Sequence, residues 1–393
     1  MHASPSDPRP RVLHLTQPVN GGVARVVTDL VRAQLAAGLA VTVVCPDGAL
    51  TTELRPLGAD VRHWHATRSP GPSLVREVRH LVRVIDEVRP HLVHAHSAKA
   101  GLAGRLAVRG RIPTVFQPHA WSFEAVGGAT SALALAWERW GARWASLLVC
   151  VSEAEHTTGV RAGISGRWSV IPNGIDPQRF HPAPAGTVRA GLGPLREVDP
   201  DAPLVVCVGR LCRQKGQDVL LTAWRSVARW VPGARLVLVG DGPDRDRLRA
   251  RAPRSVLFAG AVADAAPWYQ AADLVVLPSR WEGMALAPLE AMACGQPVVV
   301  TDVDGARESL PPTLAARCLV PPENPAVLAG AVTELLLDPL LRASLGHQGR
   351  RYVLSSHDVR HTAEAVVDVY RDLISLRPAP RVAPPEHRES IHS

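Results

Sequence analysis

The sequence predicts an α/β protein made of two successive Rossmann-like domains that face each other across a cleft. Three observations carry this expectation. Short apolar runs alternate with segments of helical period, the pattern of a parallel sheet wrapped by helices. The alternation breaks once, at 181–203, where HPAPAGTVRAGLGPLREVDPDAP is dense in Pro, Gly and Ala, and then restarts. The length of 393 residues, at roughly 150 per domain, fits two domains or a little more. Ligands of such folds bind at strand ends and between domains.

In the first half, Arg11–Thr16 reads as a strand, and the turn Asn20-Gly21-Gly22 opens a helix over Val23–Ala37. Val41–Cys45 and Val61–His65 are strands. Ser73–Val88 is a helix, because Leu74, Val78, Leu81 and Ile85 share one face. Leu92–Ala95, Thr114–Phe116, Leu147–Val151 and Ser169–Ile171 are further strands, with helices over Lys99–Val108 and Ser131–Trp144. After the break come strands Leu204–Val208, Arg235–Val239, Val256–Ala259, Leu274–Leu277 and Val298–Thr301. Helices are expected at Asp218–Trp230 and Leu286–Cys294, and three helical stretches follow, ending with Asp358–Ser375. The expected division is a first domain over 1–185, a connection over 186–203, a second domain over 204–357, a C-terminal helix over 358–376 and a disordered tail over 377–393.

Hydrophobic residues at 46% and charged residues at 20% exclude wholesale disorder. No apolar run reaches the roughly 18–20 residues of a membrane-spanning helix, and the polar stretch Met1–Arg11 lacks the apolar core of a secretory signal. The six cysteines form no CxxC pair, which reads as reduced thiols of a cytosolic protein. The net charge of +8 is uneven: residues 1–185 hold 20 Arg/Lys against 13 Asp/Glu, so +7 lies in the first half. A basic half suits a phosphate-rich ligand or an anionic membrane surface, and with no nucleic-acid motif beside it, nucleic acid is not expected as a partner. Only two of the 44 basic residues are lysines, Lys99 and Lys215, which singles both out.

Four segments carry chemistry. In Pro278–Glu290 a strand ends, a loop holds Gly283, and a helix starts near Leu286, so backbone N–H groups and the helix dipole make an anion site there. Glu282 and Glu290 lie eight residues apart, roughly 12 Å on a continuous helix, too far to flank one glycosidic bond. They read either as a solvated loop Glu and a plain helix Glu, or as acceptors for hydroxyls at two places on one elongated ligand. Gly209-Arg210 through Lys215-Gly216 puts a guanidinium and an ammonium on the loop after the first strand of the second domain, a combination suited to a diphosphate. Gly21-Gly22 is not the dinucleotide fingerprint GxGxxG, and it reads either as a phosphate-facing helix start or as a plain tight turn. His119, in Gln117–Phe123, is either a hydroxyl-binding group or a structural histidine.

Together these segments resemble the retaining nucleotide-sugar glycosyltransferases of the GT-B superfamily, specifically glycosyltransferase family 4. The resemblance runs from about Val12 to Leu373. Its markers are Gly21-Gly22, His119, Val151-Ser152-Glu153, Ile171–Asp176, Gly209-Arg210 with Lys215, Val239–Pro243, and Glu282-x7-Glu290 followed by Ala291–Val298. The runs HSAKAG at 96–101 and PHAWSF at 118–123 further resemble bacterial envelope and exopolysaccharide transferases. The resemblance implies that Arg210 and Lys215 hold the donor diphosphate, that Glu290 binds ribose hydroxyls and Glu282 the donor sugar, and that the backbone of Gly283, Met284, Ala285 and Leu286 meets sugar and phosphate. It implies that His119 reaches the transferred sugar from the first, acceptor-side domain, with Gly21-Gly22 at the diphosphate. The family's usual Gly-Phe-Gly is Gly283-Met284-Ala285 here, a departure that bears on donor identity.

The expectation is therefore a retaining, metal-independent transferase with no cofactor. It would move sugar from a nucleoside-diphosphate sugar to a sugar, lipid-linked or small-molecule acceptor in bacterial glycan, glycolipid or exopolysaccharide synthesis, in the cytoplasm or at the inner face of the plasma membrane. Retention is expected at the front face, assisted by the leaving phosphate. Lys99 and Trp121 are the acceptor-side candidates. The alternatives are a nucleotide-sugar epimerase of the same architecture, which needs no acceptor, and a non-catalytic sugar-nucleotide-binding protein. DxD occurs at Asp199–Asp201, Asp244–Asp246 and Asp302–Asp304, and only the last follows a strand of the second domain. Trp137, Trp140 and Trp144, with Arg139 and Arg143, read first as a packed core face and second as a membrane-facing patch. Arg76, Arg79, His80 and Arg83 form a basic helix face, and His94-Ala-His96 reads as a structural pair before a metal pair.

Overall fold

The computed structural model describes residues 9–375, so the expected tail lies outside the described residues. The first domain has seven strands: β1 (Arg11–Thr16), β2 (Ala40–Cys45), β3 (Asp60–His63), β4 (Leu92–His96), β5 (Thr114–Gln117), β6 (Leu147–Cys150) and β7 (Trp168–Val170). They lie in the order β3-β2-β1-β4-β5-β6-β7, with every pairing parallel. The second domain repeats the pattern with β8 (Leu204–Val208), β9 (Arg235–Val239), β10 (Val256–Gly260), β11 (Leu274–Leu277), β12 (Val298–Thr301) and β13 (Leu319–Val320), in the order β10-β9-β8-β11-β12-β13. Helices cover both faces, which is why the strands read as almost unbroken apolar runs such as Leu274–Leu277 and Val298–Thr301.

Strand order reverses between β1 and β4 in the first sheet, and between β8 and β11 in the second. The crevice for a ligand in an open parallel sheet opens at such a reversal, beyond the carboxyl ends of the strands. The loops after β1, β8 and β11 are the ones that hold Gly21-Gly22, Arg210 to Lys215, and Glu282 to Leu286.

The final helix, Val359–Ser375, returns to the first domain. It packs on the helix Gly22–Ala36 through a face that includes Ala363, Val366, Val367 and Tyr370. The chain crosses between domains twice, and the crossings lie side by side: Ile175 N donates to His357 O at 2.8 Å, and Val359 N to Ile175 O at 3.0 Å. A Cβ on Gly174 would sit 2.6 Å from the Val359 backbone, so only glycine allows this approach.

Two expectations change. Residues 186–203 are not a bare connection. They carry most of the short helix Ala185–Gly191 and a turn at Gly193–Leu195, fastened to the second domain by Arg189, which reaches Pro200 O (2.7 Å), Ala271 O (2.9 Å) and the Asp273 carboxylate (2.8 Å). The tryptophan stripe is not a packed core face. On the helix Gly128–Gly141 only Glu138 and Gly141 are buried, while Leu133 is 72% and Trp140 46% exposed. The helix docks by a polar anchor instead, a buried ion pair of Arg105 with Glu138 at 2.6 Å.

Candidate active site

Helix starts converge at the cleft. Gly21, with φ of 77°, turns the chain from β1 into the helix Gly22–Ala36. A Cβ on Gly22 would lie 3.8 Å from Leu286 Cδ1, the first residue of the helix Leu286–Ala293 in the other domain. Two helix N-termini from opposite domains therefore meet at one point, where their unpaired N–H groups and dipoles favour an anion.

Lys215 and Glu282 meet beside this point. Lys215 Nζ donates to Glu282 Oε1 at 2.5 Å, and Ser279 Oγ donates to the same oxygen at 2.7 Å. Gly216, with φ of 65°, has to be glycine, since a Cβ there would lie 2.0 Å from Pro278 O; this contact holds the loop after β8 against the loop after β11. Arg280, which sequence reasoning passed over, joins the same loops. It forms a fork on Asp218 at 2.9 and 3.0 Å and reaches Arg213 O at 2.7 Å. Arg210 is exposed; its carbonyl accepts from Gln217 Nε2 at 3.0 Å, and no described residue pairs with its guanidinium.

Glu282 and Glu290 do not share a helix. Glu282 lies in the loop and only Glu290 is helical, so the separation expected for a continuous helix does not apply. Glu290 is buried and accepts the Tyr269 hydroxyl at 2.7 Å; burial raises its carboxyl above the ordinary value. The Glu282 N–H donates to Asp304 at 3.2 Å, and Asp302 pairs with Arg307, so both carboxylates of the third DxD are engaged.

The Gly283–Leu286 loop is held from both domains. Gly283 O accepts from Ser152 Oγ and from Gly305 N, both at 3.0 Å, and Met284 O accepts from Asn173 Nδ2 at 2.7 Å. This gives a physical reading to the Ser152 and Asn173 motifs: they are interdomain clamps on this loop. A Cβ on Gly283 would lie 2.9 Å from Val151 and 3.1 Å from Ala120 N, so this loop abuts the His119 turn.

His119 and Ala120 have φ of 59° and 113°, a left-handed backbone that costs about 1–3 kcal/mol per residue. Glu155 holds the turn. Its two oxygens accept from Ala120 N at 2.6 Å and Val151 N at 2.8 Å, and burial pushes its carboxyl up to about 7. The signal that could have found Glu155 is the spacing Ser152-x-x-Glu155 after an apolar run, a helix-capping pattern; the Ser152 hydroxyl does accept from Glu155 N at 3.0 Å.

Lys99 and Trp121 are both buried. The Lys99 ammonium binds Glu77 at 2.7 Å and Ser69 O at 3.2 Å, and the Trp121 indole N–H donates to Glu155 O at 2.8 Å. Neither presents a free surface to an acceptor. Among the described residues, the grouping of three metal-capable side chains is His14, His94 and His96, and it includes no DxD carboxylate.

Two facing Rossmann-like domains, with helix starts that meet where both sheets reverse order, define the GT-B class. Residues 20–179 match the family described as Glycosyltransferase Family 4, and residues 202–338 that described as Glycosyl transferases group 1. The chain is 30% identical over 382 residues to alpha-maltose-1-phosphate synthase of Mycolicibacterium smegmatis, covering 90% of this chain and 96% of that protein. It is 31% identical over 319 residues to a GDP-mannose-dependent alpha-(1-6)-phosphatidylinositol monomannoside mannosyltransferase of Mycobacterium tuberculosis, covering 75% and 78%. Among solved structures, HepE of Anabaena in complex with UDP-glucose superposes with a TM-score of 0.79 at 25% identity, covering 92% of this chain and 99% of that one. The chain belongs to glycosyltransferase family 4, and it is a glycosyltransferase.

Proposed function

We propose that this protein is a retaining, metal-independent transferase that moves a sugar from a nucleoside-diphosphate sugar to an acceptor of a bacterial glycan or glycolipid. The observation that carries this is the convergence of the Gly22 and Leu286 helix starts next to the loop where Lys215 pairs with Glu282. Departure of a nucleoside diphosphate builds negative charge, and fixed cations and helix N-termini stabilise such charge without a metal. Asp302 and Asp304 already have partners, which supports the same reading. An incoming diphosphate competes with Glu282 for the Lys215 ammonium, leaving that carboxylate to accept hydroxyls of the sugar. Glu290 takes the ribose. No side chain of the site is assigned as a nucleophile, so retention is read as front-face.

The relatives point to the ligand classes: HepE is described with UDP-glucose, and the mannosyltransferase by its name acts on a phosphatidylinositol monomannoside. The exposed Arg76, Arg79 and Arg83, with the exposed Leu133 and Trp140, support work at an anionic membrane surface. The test is a thermal-shift screen over UDP, GDP, ADP and TDP, followed by NMR of the anomeric configuration formed from the stabilising nucleotide's sugars. One nucleotide should raise the melting temperature, and the donor's anomeric configuration should survive in the product. An inverted product, or loss of activity on chelation, would overturn the reading.

A further inference from the structure

A hydrogen-bonded chain of side chains runs from the C-terminal helix to His119. His119 Nε2 meets His96 Nδ1 at 3.1 Å, His96 Nε2 meets His14 Nδ1 at 3.0 Å, and His14 Nε2 meets Gln34 Oε1 at 2.8 Å. Gln34 Nε2 donates to the Tyr370 hydroxyl at 3.4 Å, and that oxygen meets His94 Nδ1 at 2.5 Å. His14, His94, His96 and Gln34 are 0% exposed and Tyr370 is 1% exposed. Burial holds His14 down to about 4 and His119 to about 3, and His94 and His96 also lie well below the ordinary imidazole value. The rings are therefore neutral at pH 7, and each carries one N–H and one bare nitrogen.

Proton counting gives the chain a direction. Two buried polar atoms beside it lack a formed hydrogen bond, His94 Nε2 and Gln117 Oε1, and the Gln117 side chain acts on His94. Gln117 stands opposite His96 in the β4–β5 register, on the sheet face that carries His94. Pairing these two atoms puts the His94 proton on Nε2, because a carbonyl oxygen only accepts, and leaves Nδ1 to accept from the Tyr370 O–H. The Tyr370 oxygen then accepts from Gln34 Nε2, which turns Gln34 Oε1 to His14. His14 carries its proton on Nε2, and His96 and His119 follow in the same sense.

We propose that Gln34 and Tyr370 are positioning residues that act through His14 and His96 to make His119 present a bare Nδ1 as acceptor for a hydroxyl of the bound sugar. Nδ1 of His119 has no partner among the described residues. The assignment of the hydroxyl rests on the transferase reading; the tautomer does not. Tyr370 is supplied by the helix that follows the second domain, so the state of His119 depends on that helix being docked.

The test uses the full chain and imidazole-nitrogen NMR without substrate, with the His119 signals assigned by their loss in His119→Gln. In the wild type, Nδ1 of His119 should carry no proton and Nε2 should be protonated. Tyr370→Phe and Gln34→Met should mix the tautomers, lower kcat about tenfold, and leave donor KM within twofold. Tyr370→Phe removes one oxygen and keeps the ring, so its melting temperature is the control for folding. A wild-type His119 protonated on Nδ1, unchanged tautomers in both variants, or one tightly bound metal per chain held by His14, His94 and His96 would each overturn the proposal. A shifted tautomer in a protein that transfers no sugar would sink the transferase reading and leave the relay standing.

Discussion

At the residue scale, the proposed donor site rests on charge. Lys215→Ala and Arg210→Ala should each lower turnover by about 100-fold or more, the usual loss when one stabiliser of transition-state charge is removed. Steady-state kinetics at saturating donor checks this, and near wild-type rates in both variants would remove the diphosphate assignment. The Glu155 carboxyl carries a pH effect. Burial lifts its pKa to about 7 from the ordinary 4.5, so the folded protein keeps a proton that the unfolded chain releases. Its contribution to stability therefore falls as pH rises from about 4.5 to 7, by about 3 kcal/mol in all. Urea denaturation of wild type and Glu155→Gln across this range should show the wild type losing ground to the variant as pH rises. A difference that stays flat with pH would contradict the buried, protonated carboxyl.

At the scale of elements, the Gly283–Leu286 loop is held in place by atoms from the other domain. Asn173→Ala removes the buried donor to Met284 O, a loss of about 1–3 kcal/mol, while Ser152→Ala removes one of the two donors to Gly283 O and should cost about 0.5–1.5 kcal/mol. The expected result is a raised donor KM and a lowered melting temperature, with a nearly unchanged response to acceptor concentration. Gly283→Ala should be more severe, because the added carbon would press on Val151 and on the Ala120 backbone. Wild-type donor affinity in Gly283→Ala would mean that the loop and the His119 turn do not touch in solution.

At the scale of the whole molecule, +7 of the +8 formal charge lies in residues 1–185. Arg76, Arg79 and Arg83 are exposed on the helix Leu74–Val88. In the same domain Trp140 stands exposed, with the Arg143 guanidinium 3.9 Å from its ring centre. Anionic lipid attracts basic residues with about 1 kcal/mol each, so the three arginines supply about 3 kcal/mol, enough for reversible attachment. The protein should sediment with phosphatidylglycerol vesicles at low salt, be released at high salt, and lose binding when the three arginines become serine. Replacing Leu133 and Trp140 by serine should weaken whatever binding survives in salt. Failure to sediment at low salt would make a soluble acceptor the better reading.

The sequence by itself determined the class and the two-domain layout, and it singled out the loops of the candidate site. Strand periodicity, the glycine turns and the spacing from Glu282 to Glu290 are local properties, visible wherever residues close in the chain also act together. The tertiary structure decided everything that depends on residues far apart in the chain. The pairing of Lys215 with Glu282 spans 67 positions, and the clamp of Ser152 on Gly283 spans 131. Lys99 shows the limit of composition: its rarity singled it out, yet burial against Glu77 makes it part of the scaffold. The tryptophan stripe shows the limit of periodicity, since a helical face of tryptophans looks the same whether protein or solvent covers it. The histidine relay was out of reach for the same reason. Its direction comes from Gln34, Gln117 and Tyr370, which only the return of the last helix and the β4–β5 register bring within reach of His14, His94 and His96.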